Sequence, residues 1–476
     1  MYGFREARQG GGWFCYLEQG GLLMRLLHTS DWHLGRTVGQ RPAQRSRDGD
    51  FDAVLAEITG IARDVRPDLI VHSGDLFDSW RPGPGDLARC LRALRDLSEE
   101  APVLVVAGNH DSPVLLETLD FAVTAFGTGP RPGGAPRLKF VTRARHPRDG
   151  GILDYPARGG EQRIRVAALP FVHQNRFLDE FTSPAAATRD YARHLREIQA
   201  ELHRGLLDGY QPGRDVLVLA AHLYVQGASP SYTERPVEIS DTYLTEADAL
   251  PAVSYAALGH IHRPQAITRG GITARYAGSP LQLDFGEAGE DKSVVVVDAD
   301  PGRPVRVDLV PLNAGRRLYD FTGTLDELRA QAGQIGDAFV RAVIVSDQPV
   351  PRLAAAAKDA APHAMFVAID PRCKASQAAV LDRAEAEHDE PGLPDLFAGY
   401  LPGRVPAGAV ADHIQATFAD LLADTDREDP GIFPEEAQLR SVLGLESAGR
   451  PLGGDLLIPV QAPAGKALAA AGGGQG

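Results

Sequence analysis

Cysteine is scarce in this chain. Its three copies, Cys15, Cys90 and Cys373, lie far apart and form no CxxC pair. That argues against a disulfide framework or a thiolate zinc site, and a reducing cytoplasm is the natural compartment. Long apolar runs are also missing, so no membrane span is expected. Residues 1–23 lack the apolar core and cleavage pattern of a signal peptide. They carry Gly-Gly breaks and no period, whereas Met24 opens a clean strand. Met24 is therefore expected to be the true start, with 1–23 a non-native or disordered extension.

Net positive charge is lacking as well, at -14 overall. This looks wrong for a partner of nucleic acid, whose phosphates attract cations. The acidity is local, however. Residues 382–446 hold fifteen Asp or Glu against four Arg, a net of -11, which leaves -3 for everything else. A near-neutral body can hold a basic groove, and bound divalent cations would add charge at a site. The acidic stretch itself is not expected to touch DNA.

What is present is an alternation of short apolar strands and amphipathic helices. Residues 25–29, 68–73, 103–107, 216–221, 255–258 and 293–297 read as buried strands. Phe51, Val54, Leu55, Ile58, Ile61 and Ala62 form a helical stripe, and a second helix passes through Leu87, Leu91, Leu94 and Leu97. The pattern predicts a layered α/β sandwich with much parallel sheet. From residue 316 it restarts at smaller scale as βαβαβ. The expected division is 24–312 for the main domain and 313–375 for a small α+β capping domain. An acidic helical tail follows at 376–450, and 451–476 is Ala- and Gly-rich and expected to be disordered.

Five polar fragments follow strand ends: Asp31-Trp32-His33, Gly74-Asp75-Leu76-Phe77-Asp78, Gly108-Asn109-His110-Asp111, His222, and Gly259-His260-Ile261-His262. Strand ends are where α/β sheets form sites. Carboxylate, imidazole and amide donors without thiolate suit Mn²⁺, Fe²⁺ or Zn²⁺. Alternate residues of an extended Asp-x-His segment point the same way and can aim at one ion. Asp75 is placed to bridge two ions. The glycines before Asp75, Asn109 and His260 allow close backbone approach. Singly each fragment is weak, since a lone Asp-x-His is usually a loop and a lone His usually core. Together, in this order and at one kind of sheet edge, they point to a metal site. His28 and His72 lie inside strands and are expected to pack in the core, Asp111 to accept from backbone, and Trp32 to pack beside the site, with base stacking as the other option.

These fragments resemble the five motifs of the calcineurin-like metallophosphoesterase superfamily. Residues 27–35, 72–78, 255–262 and 276–281 are similar, within it, to the SbcD-type bacterial nucleases. The resemblance implies a four-layer metallophosphoesterase sandwich, two mixed β-sheets flanked by helices. It assigns one metal to Asp31, His33, Asp75 and His262, and a second to Asp75, Asn109, His222 and His260. Such ions sit roughly 3.5–4 Å apart and clamp an in-line displacement, with a bridging hydroxide as nucleophile. His110 is implied as the general acid. Asp78 is implied to orient it; otherwise Asp78 is a surface residue capping the next helix.

The same resemblance implies a Mn²⁺-dependent 3′–5′ double-strand exonuclease and single-strand or hairpin endonuclease, serving DNA repair, recombination and replication near the nucleoid. The small domain would select DNA shape. The tail around 396–401 would dock on an SbcC-type ATPase, and helices after the second and third motifs would form a homodimer. Candidate DNA contacts are Arg36, Arg41, Arg45, Arg47, Arg81 and Arg263, with an Arg-rich stretch at 137–165. The alternatives are a small-molecule phosphodiesterase or phosphatase of the superfamily, and a non-catalytic scaffold; the latter would be expected to have lost a ligand.

Overall fold

Period-two alternation decides the layering. In the strand Met24–Thr29, Leu26 points into one apolar cluster and Leu27 into another, because successive side chains leave opposite faces of a strand. The computed structural model describes residues 23–39, 44–126, 136–158, 161–173, 184–231, 243–268 and 271–373, and, further on, 397–398, 401, 408, 411–412 and 414–418. The expected extension at 1–23, but for Leu23, and the expected disordered end lie outside these residues.

Two six-stranded mixed sheets stack face to face. The first runs in the order Arg306–Pro311, Ser293–Ala299, Met24–Thr29, Leu69–His72, Val103–Val106, Leu138–Val141. The second runs Gln265–Ile267, Ala274–Tyr276, Tyr255–Gly259, Asp215–His222, Arg163–Leu169, Ile152–Pro156. Leu26, Leu69, Val71 and Leu104 meet Val166, Val218 and Tyr255 between the sheets. Outside the first sheet, helices Asp48–Val65 and Pro84–Glu100 lay Phe51, Val54, Leu94 and Leu97 on Leu27 and Ile70. Outside the second, helix Pro184–Leu207 packs Tyr191, Leu195 and Leu202 against Leu217 and Leu219. This is the expected four-layer sandwich.

The smaller unit is a parallel three-stranded sheet, Leu318–Gly323, Phe339–Ser346 and Met365–Cys373, with helices Leu325–Ile335 and Leu353–Ala360. A capping box opens its first helix: Thr324 Oγ1 accepts from Glu327 N–H, and Glu327 Oε2 accepts from Thr324 N–H. It has its own core, from Phe321 through Leu328 to Ala364. A second cluster joins it to the body, where Val38 and Phe285 meet Leu318, Phe339 and Val367. By contacts the chain divides near residue 382, so the line expected at 312/313 runs inside one compact unit. In the other unit, Phe397 stacks on Phe418 at 3.9 Å and Leu401 is buried.

Three arginines expected at DNA turn out to be held by the protein's own acids and carbonyls. Arg47 is buried: it pairs with Asp50, donates to the carbonyls of Gln282 and Arg316, and lies over the Phe339 ring. It is a strut between body and cap. Within 137–165, Arg163 and Arg165 belong to a strand and pair with Asp215 and Asp154. Their alternation with Ile164 and Val166 marks a strand whose polar face is neutralised by acids, which a reading of charge alone missed.

Candidate metal centre

The polar strand ends gather at one edge of the sandwich. Strands ending at Thr29, His72 and Val106 in the first sheet run parallel, as do those ending at His222 and Gly259 in the second. Their following loops converge. Asp31 N–H donates to Gly74 O, His33 N–H to Asp75 O, and Leu34 N–H to Leu76 O, which zips the first two loops together.

The backbone is strained where the donors sit. Among the described residues six non-glycines have positive φ, and Asp31, His33, Asp75 and His260 are four of them. Such conformations persist only where the surroundings over-determine them, and they cluster at functional sites. The Asp31–His33 segment is therefore not extended, contrary to expectation; two left-handed residues, not strand alternation, turn both side chains inward. Close approach explains two glycines. A Cβ on Gly74 would strike the His222 ring, and one on Gly108 would strike the Asp75 carboxylate.

Asp31, His33, Asp75 and His262 are all buried and offer ligand atoms within 4.8 Å of one another. Asp75 is central. Its Oδ1 accepts from His110 N–H at 2.9 Å, while Oδ2 lies 3.4 Å from Nε2 of both His33 and His222. Asn109 Oδ1 stands 2.8 Å from His222 Nε2 and 3.0 Å from His260 Nδ1. All seven expected ligands thus lie in one connected cluster.

The donor set fits divalent cations. Asp31 Oδ2 and both ring nitrogens of His33 are buried without a hydrogen-bond partner, a costly condition unless an ion completes them. His222 donates Nδ1–H to Ser73 O, which leaves Nε2 aimed at Asp75 and Asn109. Burial opposes a charge on His222, but the Asp75 carboxylate outweighs it and pushes the pKa up to about 9. The rise shows that the carboxylates demand positive charge at this point, which bound divalent cations would supply while leaving the imidazole neutral. Burial, and Asp75 beside it, raise Asp31 to about 6.

His110 sits at the rim. Its Nδ1 lies 3.0 Å from the backbone carbonyl of Asp78, which can only accept, so Nδ1 carries the proton in that bond. The Asp78 carboxylate serves another neighbour: it lies 3.4 Å from His33 Nδ1 and 3.3 Å from Arg36. Burial works against its ionisation, yet the neighbouring His33 and Arg36 hold its pKa at about 2. The expected orientation of His110 is thus made by the main chain of Asp78, and its side chain braces His33. Asp111 accepts from the N–H groups of Leu76, Phe77 and Gly108, as expected. His28 and His72 are core residues; His28 bonds Tyr255 and Ser73. Trp32 is fully buried and donates to Thr29, which removes it as a base-stacking surface.

Sequence reading missed Glu287 and Lys292. Both are buried. Glu287 Oε1 lies 3.4 Å from His262 Nδ1, and its Oε2 lies 2.7 Å from Lys292 Nζ, which also donates to His262 O. Burial alone would raise the Glu287 pKa, but Lys292 and His262 drive it well below the usual carboxylate range. A carboxylate behind a ligand imidazole fixes its tautomer and orientation. The only signal was a Glu soon after 276–281. Of the arginines near the site, Arg263 pairs with Glu290, Arg36 with Asp78, Arg45 and Arg81 are exposed, and Arg41 lies outside the described residues.

This arrangement, two sheets presenting carboxylate, amide and imidazole to one buried point, defines a class, and residues 24–264 match it: the chain belongs to the calcineurin-like phosphoesterase family and is a metal-dependent phosphodiesterase. The similarity extends beyond that domain. The chain is 30% identical to a Bacillus subtilis protein named as the D component of the nuclease SbcCD, over 85% of this chain and 100% of that one. Proteins of the same name from Rhodobacter capsulatus and Escherichia coli K12 are 30% and 31% identical, over 70% and 66% of this chain and 83% and 74% of theirs.

Proposed function

We propose that this chain is the nuclease subunit of an SbcCD-type complex, a Mn²⁺-dependent 3′–5′ exonuclease on duplex ends and an endonuclease on single strands and hairpins. The observation that carries the reading is that the match to the Bacillus subtilis nuclease component runs the full length of that protein. A small-molecule hydrolase would share the catalytic motifs but has no need of the rest.

In this reading Asp31, His33, Asp75 and His262 hold one ion, and Asp75, Asn109, His222 and His260 the other. Two divalent ions there would supply Lewis-acid charge and lower the pKa of water. The protein's own contribution is positional. Asp75 holds Oδ2 between the imidazoles of the two sets, and its Oδ1 fixes the loop that carries His110. His110 gives its Nε2 proton to the departing sugar oxygen, held in line by the Asp78 carbonyl. The capping unit selects DNA shape. The tail near 396–401 docks on the ATPase partner by a helix-in-groove mode. A homodimer suits helix Pro113–Phe126, whose Val114 and Phe121 are 66% and 69% exposed. No helix among the described residues is long and apolar enough to cross a membrane, and cytoplasmic DNA processing in repair, recombination and replication is the proposed setting.

The test is cleavage of a 5′-end-labelled duplex and of a hairpin, with Mn²⁺ beside Mg²⁺, with and without the ATPase partner. Shortening from the 3′ end in Mn²⁺ supports the reading. No cut in either DNA under any condition, alongside rapid hydrolysis of a small phosphodiester, overturns it in favour of a metabolite hydrolase.

A further inference from the structure

Six large apolar side chains are notably exposed among the described residues: Leu23, Trp80, Val114, Phe121, Leu207 and Leu309. Only Trp80 is joined directly to the metal cluster. Its Nε1–H donates to Asn109 O at 2.8 Å, and Asn109 Oδ1 is the amide oxygen that meets His222 and His260. Trp80 is 40% exposed, whereas the other described tryptophan, Trp32, is fully buried. Trp80 sits in the short connection between Asp78 and helix Pro84–Glu100, where Pro82 and Pro84 restrict the backbone. Its ring also contacts His173 at 5.8 Å. His173 in turn meets Phe171, which stacks on His260 at 5.7 Å. The indole is therefore braced on two sides against residues of the site.

A braced indole whose only N–H is already used offers a π face and no hydrogen-bond donor. The chemistry that recognises such a face is a flat ring, and stacking on it discriminates little between bases. We infer that Trp80 is a stacking platform for an unpaired nucleobase of the strand whose phosphate lies at the metal cluster. This inference rests on the nucleic-acid reading above. A base can lie on Trp80 only after leaving its duplex stack, so the platform favours frayed ends and single strands over closed duplex.

The test uses the full chain in Ca²⁺, with a gel confirming that strands stay intact. Binding of a fluorescein-labelled single strand is followed by anisotropy, and tryptophan emission is followed with the unlabelled strand. A second strand carries abasic sites throughout. The expected result is quenching by the normal strand and little by the abasic one, with quenching lost in Trp80→Phe although anisotropy still reports binding. Trp80→Ala should weaken binding roughly 5- to 150-fold, the range for losing one stacked base. Binding without quenching, equal quenching by the abasic strand, or quenching that survives Trp80→Phe overturns the platform and leaves the nuclease reading standing. Failure of both strands to bind overturns the nucleic-acid reading, and the platform with it.

Discussion

The two sheets contribute unequally to the centre. Loops of the first bring both carboxylates, one imidazole, the amide and the rim histidine: Asp31, Asp75, His33, Asn109 and His110. Loops of the second bring imidazoles alone: His222, His260 and His262. The first set is locked by local backbone pairing between the 31–34 and 74–76 segments. The second is held from behind, His222 by Ser73 O and His262 by Glu287. Negative charge is thus anchored in one layer, and most of the neutral imidazole donors come from the other. Neither sheet carries a working site; the centre exists only once the layers pack.

The sharpest way to break this comparison is to remove the carboxylate proposed to be shared by the two ions. Asp75→Asn should lower phosphodiester hydrolysis by roughly three orders of magnitude and abolish tight binding of Mn²⁺ by titration calorimetry. Retained stoichiometric binding of two ions would show that Asp75 is not shared. The rim should behave differently from the centre. His110→Ala should keep metal binding and lose roughly 10²- to 10⁴-fold in kcat on DNA, with a much smaller loss on a p-nitrophenyl ester, whose leaving group needs no proton. Equal losses on both substrates would remove His110 as the acid.

On the imidazole side, Glu287→Gln should weaken Mn²⁺ binding by roughly 10- to 100-fold. An unchanged affinity would mean the Lys292–Glu287 pair only packs the loop. The smallest effect concerns the layer between the sheets. Burial, helped by the Arg275 charge, lowers the pKa of His28 to about 3; burial also lowers His72 to about 3, against the pull of Asp75. Both stay neutral when folded, while the unfolded chain protonates them near pH 6.5. Their contribution to stability is therefore complete above pH 6.5 and is lost as pH falls toward 3. Each adds about 1.4 kcal/mol per pH unit to the slope below 6. Urea unfolding between pH 5 and 6.5 should show that slope reduced by about that amount in His28→Gln, and an unaltered slope would argue that the buried His28 is already charged.

Much of this was legible before the fold was known, for identifiable reasons. The strands read as 25–29, 68–73, 103–107, 216–221 and 255–258 appear within a residue or two, because strands buried on both faces are continuous apolar runs. The helices read through Phe51–Ala62 and Leu87–Leu97 appear because their apolar stripes keep helical spacing. Strand Arg163–Leu169 was hidden by charge, and Arg47 looked like a surface cation because no sequence pattern reveals a guanidinium satisfied by carbonyls of Gln282 and Arg316, more than 200 residues away. Of the two tryptophans beside the motifs, the wrong one stood next to an Asp-x-His pair: Trp32 points into the core, and Trp80 to solvent.

The sequence by itself determined which atoms reach the centre. Donor identity is a property of residue type, and strand ends are marked by where apolar runs stop. It determined the layering for the same reason, since period two and helical periodicity are local. The tertiary structure alone decided how those atoms are held. Left-handed turns at Asp31, His33, Asp75 and His260, the Asp78 carbonyl behind His110, and Glu287 with Lys292 behind His262 all depend on contacts between distant segments. Orientation, tautomer and buried charge follow from what stands on the other side of a side chain, and that neighbour is chosen by packing.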